Sequence, residues 1–146
     1  MERRRRHRVT QVVFAALLAA AACIRIASYN ETEYQYATSL KAEALALMDK
    51  ATEPYAQHQA DAEKLTLDLS KAYEYAAGRP NNEISAKQWQ ILRDPSRNLL
   101  GSFLARWKAE KTLGSTYLAD KKQQVSDAFD TISSLESGKA KPKGAN

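Results

Sequence analysis

Residues 78–82 read Gly78-Arg79-Pro80-Asn81-Asn82, and this cluster is the strongest interruption in an otherwise helix-forming chain. Glycine and asparagine tolerate turn conformations, and Pro80 lacks the N–H that a continuing helix needs. On its N-terminal side Ala37, Leu40, Ala44, Leu47 and Ala51 step by three and four residues. Tyr55, His58, Ala62, Leu65, Leu69, Ala72 and Ala76 resume that alternation after a one-residue slip at Pro54. On its C-terminal side the same spacing joins Leu104, Trp107, Lys111, Gly114, Leu118, Lys121, Val125, Ala128, Ile132 and Leu135. An apolar stripe at this period is the pattern of helices packed side by side, as in a coiled coil.

The expected fold class is therefore all-α. Helices are predicted from about Glu31 to Ala51, from Thr52 to the Gly78 cluster with Pro54 in the first turn, from Ser85 to Leu92, and from Asp94-Pro95 to Glu136. Ser85 and Gln88 have the spacing of a capping box. As continuous rods, residues 31–77 span roughly 70 Å and residues 95–137 roughly 64 Å, at ~1.5 Å per residue. Folding the chain at residues 78–94 gives a long antiparallel helical hairpin with a short third helix at the connection. That register brings Pro54 opposite Ala119, close to Gly114. Two weak points then lie at nearly one level, and if both fold back the outcome is a compact four-helix bundle. Neither break is flanked by a loop-like cluster, so the hairpin is the expectation, with its 78–94 connection remote from both termini.

The ends have a different character. The chain has 146 residues, 22 Lys+Arg against 17 Asp+Glu, and a net charge of +5. Arg3, Arg4, Arg5, Arg6 and Arg8 supply most of that excess, so the remainder is nearly neutral and no nucleic-acid-binding surface is expected. After the arginines, residues 9–24 are apolar apart from Thr10 and Gln11. The run is roughly 16 residues, whereas a membrane-spanning helix needs about 20. Order and length are those of a bacterial export signal, expected over residues 1–22. The single cysteine, Cys23, excludes a disulfide within one chain and any Cys-based zinc centre.

Leu18-Ala19-Ala20-Ala21-Ala22-Cys23 resembles the lipobox of bacterial lipoproteins, with Ala20 where leucine is typical. The resemblance implies cleavage after Ala22 and lipidation of Cys23 by a diacylglycerol thioether and an N-linked fatty acid such as palmitate. Two acyl chains suffice for stable anchoring. It also implies a lipid anchor facing the periplasm, and Ile24 in place of aspartate points to the outer membrane. Residues 23–30 then form the lipidated cysteine and a short tether, residues 31–137 the helical domain, and residues 138–146 a polar Gly/Pro-containing tail expected to be disordered. A single-pass anchor formed by the uncleaved leader is the competing reading.

Little in the exported part suggests chemistry. His58 with Asp61 at i+3 is the sole candidate dyad, and a seam histidine beside Pro54 explains it as well. No catalytic residue, metal site or cofactor is expected, and the chain reads as a non-enzyme. Tyr29, Tyr34 and Tyr36 suit either a membrane interface or packing at a helix start, and Lys139, Lys141 and Lys143 either anionic surfaces or solvent. The expected function is a membrane-tethered envelope lipoprotein acting as a helical interaction or scaffolding module. A phage- or mobile-element-derived protein that modulates a membrane process is the alternative. The expected partners are the membrane, through the N-terminal lipid, and an envelope protein, with a second copy of the chain as a further candidate. Trp89, Leu92 and Trp107 are the partner-binding candidates, because aromatic and leucine side chains anchor interfaces when exposed.

Overall fold

The computed structural model describes residues 26–140, and they are helical, with no strand among them. Helix α1 spans Glu31–Met48, α2 Gln59–Ala77, α3 Glu83–Arg93, α4 Leu100–Glu110 and α5 Ser115–Ser137, with a 3-10 turn at Tyr55–Gln57. The expected signal peptide at residues 1–22, with Ala22 and the lipidation candidate Cys23, lies outside the described residues.

Asn30 opens α1. Its backbone is extended and its side chain accepts a hydrogen bond from the Glu33 amide at 3.0 Å. The helix ends in tightened turns, with Ala51 N–H donating to Met48 O at 3.0 Å and Glu53 N–H to Lys50 O at 2.8 Å. Pro54 follows with extended backbone, and α2 then runs back along α1, where Lys64 Nζ reaches Glu43 Oε2 at 3.1 Å. The chain reverses again at Gly78–Asn82. α3 returns beside α2, carrying the Arg93 guanidinium to 4.1 Å from the Tyr73 ring centre. After a bend, α4 continues toward the Pro54 end, and α5 comes back to pack on α1 and α3.

Counting α3 and α4 as one broken rod, the topology is up-down-up-down around a single core. All-α architecture is thus established, but the long hairpin is not what the chain builds. Asn82 touches Glu33 and the Ala27 amide donates to Asn81 O at 2.8 Å, whereas a hairpin would hold these segments at opposite ends of a rod. The chain takes the compact arrangement. The physical cause is at the two breaks. Tyr55 N–H donates to Lys111 O and Leu113 N–H to Ala51 O, each at 2.8 Å, so each interruption satisfies backbone groups freed by the other.

The rod expected from residue 95 to 136 is likewise divided. Asp94 is the C-cap of α3 and does not open the next helix. Its carboxylate accepts from the Ser96 amide at 2.8 Å and the Ser96 hydroxyl at 2.7 Å, closing a turn that holds its pKa below the ordinary carboxylate value. Helix resumes only at Leu100, and Gly101 slides beneath the end of α3. A Cβ there would stand 2.2 Å from the Arg93 carbonyl oxygen, so only glycine fits. α4 stops at Lys111, whose φ of 70° is left-handed.

The core combines small residues on α1 and α2 with large ones on α3–α5. Ala37, Ala44, Ala62, Ala72 and Ala76 are buried and let those helices approach closely. Trp89 meets Phe129 edge-on at 6.0 Å between ring centres, and Trp107 meets Tyr55 edge-on at 5.4 Å.

Candidate functional site

Trp89, Leu92 and Trp107, the expected partner-binding side chains, are core residues with 1%, 0% and 0% of their surfaces exposed. They cannot anchor a partner without unfolding. Trp107 also donates its indole N–H to Glu53 O at 3.1 Å, pinning the turn before Pro54. His58 pairs with Glu53 rather than Asp61, at 2.8 Å from Nε2 to Oε2, and its ring lies 5.7 Å from that of Trp107. It is a seam histidine bracing the same turn. Lys121 is buried, as its place in the stripe implies. Its ammonium donates to the Asn98 backbone and side-chain oxygens and to Gln124 Oε1, and burial lowers its pKa.

The tyrosines divide into two pairs. Tyr29 and Tyr34 stand 6.3 Å apart, and Tyr36 packs on Tyr75 at 5.9 Å. The Tyr29 hydroxyl donates to Glu31 Oε2 at 2.5 Å, which pushes its pKa up to about 12 because the neutral phenol is the donor.

The densest polar constellation lies at the bundle end that carries residues 26–33, 79–85 and 136–140. Glu33 and Glu136 are 2% and 1% exposed, and Lys139 is 8% exposed. The Lys139 ammonium donates to Glu136 Oε2 at 2.5 Å, Asn82 Oδ1 at 2.6 Å, Ser85 Oγ at 2.9 Å and Glu33 Oε2 at 3.4 Å. Arg79 Nη1 lies 3.0 Å from Glu33 Oε2 and 3.7 Å from Glu136 Oε1, while Nη2 donates to Ser28 O at 2.7 Å. Asn82 Nδ2 donates to Glu33 Oε1 at 2.5 Å and Ala76 O at 2.9 Å, and the Asn30 amide donates to Glu136 Oε1 at 2.5 Å.

Burial raises the pKa of both carboxyls, but the neighbours split them. At Glu33 burial is outweighed by a hydrogen bond from Glu136 and the charges of Lys139 and Arg79, so its pKa falls. Glu136 is held above its ordinary value by burial and by that same hydrogen bond, with Lys139 opposing. Two carboxyls with divergent acidities resemble an acid–base pair. Here, however, every oxygen is committed to a partner within the protein, and the cluster has the construction of a clasp. It joins the residues before α1, the α2–α3 turn and the residues after α5.

This clasp overturns part of the expected tail. Gly138–Ala140 are ordered, with Lys139 buried and Ala140 O accepting from the Tyr29 amide at 2.9 Å. The rest of the expected tail, residues 141–146, lies outside the described residues. Within the expected tether, Ala27 is buried and its amide donates to Asn81 O. Sequence reading missed the clasp although its register was visible. Glu33 precedes Ala37 by four residues and Glu136 follows Ile132 by four, so both acids extend the buried stripes.

Away from the clasp, an open groove of about 570 Å3 runs between α2, α3 and α4 past Thr66, Ser70, Gln90, Arg93, Leu104 and Lys108. Arg93 is already engaged with Tyr73 and the Ser70 hydroxyl. No group of three or more His, Cys, Asp or Glu side chains among the described residues is placed to hold a metal ion. Compared with protein-family models, curated proteins and solved structures, the chain matches none.

Proposed function

We propose that this protein is a membrane-tethered envelope lipoprotein whose helical bundle serves as an interaction or scaffolding module, acting through its surface rather than by catalysis. The observation that carries the reading is the leader: five arginines, a short apolar run and Ala20-Ala21-Ala22 immediately before the only cysteine. The bundle supports it in one respect. Ala27, four residues after Cys23, is buried in the bundle, so a lipid on Cys23 would hold a folded body close to the membrane. Exposed helix surface, not the buried tryptophans, is what such a module presents to an envelope partner.

The test is Cys23→Ala in the native host. The parent chain is expected in the membrane fraction with an acylated cysteine at its N-terminus by mass spectrometry, and the variant is expected to leave that fraction. Retention of the variant, with Met1 intact, would mean that the leader itself is the anchor. For the module role, photo-cross-linking from exposed positions such as Leu67 and Lys108 should give a discrete adduct. Absence of an adduct from every helix face would count against scaffolding.

A further inference from the structure

The exposed apolar side chains are unevenly distributed. The large hydrophobic residues most exposed among those described are Ile26, Leu67, Tyr75 and Ile84, and three of the four belong to the end closed by the clasp. Ile26 is 57% exposed and Ile84 is 51% exposed. They flank the hydrogen bond that ties Ala27 to Asn81, and the Tyr75 hydroxyl reaches Asn30 Oδ1 at 3.2 Å nearby. The opposite end, at the Pro54 and Lys111 turns, exposes Lys50, Glu110 and Lys111 instead.

Charge is arranged to match. At the clasp end Arg79 and Lys139 turn their cations inward onto Glu33 and Glu136. The acids left exposed in the flanking first turns are Glu31 and Glu83, and Glu31 already receives the Tyr29 hydroxyl. Because the clasp engages Arg79 and Lys139 within the protein, what the described residues of this end offer a lipid surface is chiefly apolar. Its apolar residues and the interfacial tyrosine Tyr29 suit a zwitterionic headgroup region.

The covalent chain supplies the remaining constraint. Cys23 precedes Ile26 by three residues. Fully extended, they reach only about 10 Å. We infer that the clasp end of the bundle is a membrane-contact face, with Ile26 and Ile84 seated in the lipid–water interface and the Pro54–Lys111 end pointing away. This rests on the acylation of Cys23 proposed above. It reverses the orientation expected of a hairpin, because the α2–α3 turn lies beside the tether instead of at the remote tip.

The full acylated chain can be tested directly, since lipid on the Cys23 sulfur leaves an introduced cysteine as the sole free thiol. Ile84→Cys, Leu67→Cys and Thr112→Cys are labelled separately with an environment-sensitive fluorophore and reconstituted in phosphatidylcholine vesicles containing acyl-brominated lipid. An interfacial side chain lies within the headgroup–acyl boundary, so quenching at position 84 should exceed that at 112 by about three-fold or more. Position 67, on the flank, should resemble 112. Equal quenching at all three sites, or strongest quenching at 67, overturns the contact face while leaving the tether intact. Chain that does not float with vesicles, or whose Cys23 is unmodified by mass, removes the tether and this inference with it.

Discussion

Lys139 places its ammonium against oxygens from Glu33, Asn82, Ser85 and Glu136, drawn from three segments far apart in the chain. Because the two carboxyls are almost wholly buried, removing this cation leaves only Arg79 to offset their charge in a poorly solvated place. Lys139→Met should therefore cost about 3–5 kcal/mol, the usual scale for breaking a buried ion pair from one side. Urea unfolding followed by circular dichroism measures it directly. Replacing both acids as well, with Glu33→Gln and Glu136→Gln, should recover much of the loss, since the penalty comes from stranded charge and not from the missing contact. A loss near zero for Lys139→Met would mean that residue 139 belongs to a solvated tail.

At the scale of elements, the division between α4 and α5 depends on one residue with unfavourable backbone. Lys111 has φ of 70°, a region that costs a side-chain-bearing residue energy and costs glycine little. Lys111→Gly should raise stability by about 1 kcal/mol, read as a higher denaturation midpoint. The sign is what discriminates. Inside a continuous helix the same substitution would lower stability by about 1 kcal/mol. Gly114 gave a visible hint of this break, yet it is not the left-handed residue. It caps α5 with φ of −74° and has open space around it, while the strain falls on Lys111, a residue type that gives no turn signal.

For the molecule as a whole, the decisive quantity is the separation of the two ends of the α1–α2 segment. Spin labels introduced by Ser28→Cys and Pro80→Cys, in a chain carrying Cys23→Ser, should lie within about 20 Å of each other, whereas a continuous rod would set them roughly 70 Å apart. Pulsed dipolar spectroscopy separates these outcomes without ambiguity. A long distance would restore the hairpin and dissolve the contact face along with the clasp.

Local sequence pattern is enough to make residues 31–137 largely helical and to say which of their faces turn inward. Ala37, Leu40, Ala44, Leu65, Leu69 and Val125 are buried as their spacing requires, because periodicity is a property of one helix and is written locally. It also located both weak points, Pro54 and Gly114. Whether those points bend or reverse was decided only in the tertiary structure. Local bonds such as His58 to Glu53 brace one turn, but Tyr55 to Lys111 and Leu113 to Ala51 run between the two, so neither turn is completed by its own stretch of sequence. The same reasoning covers the clasp. Glu33 and Glu136 continue the buried stripes, but nothing in sequence pairs them with Arg79 and Lys139, and a charge becomes worth burying only when the opposite charges that neutralise it have been brought to the same place.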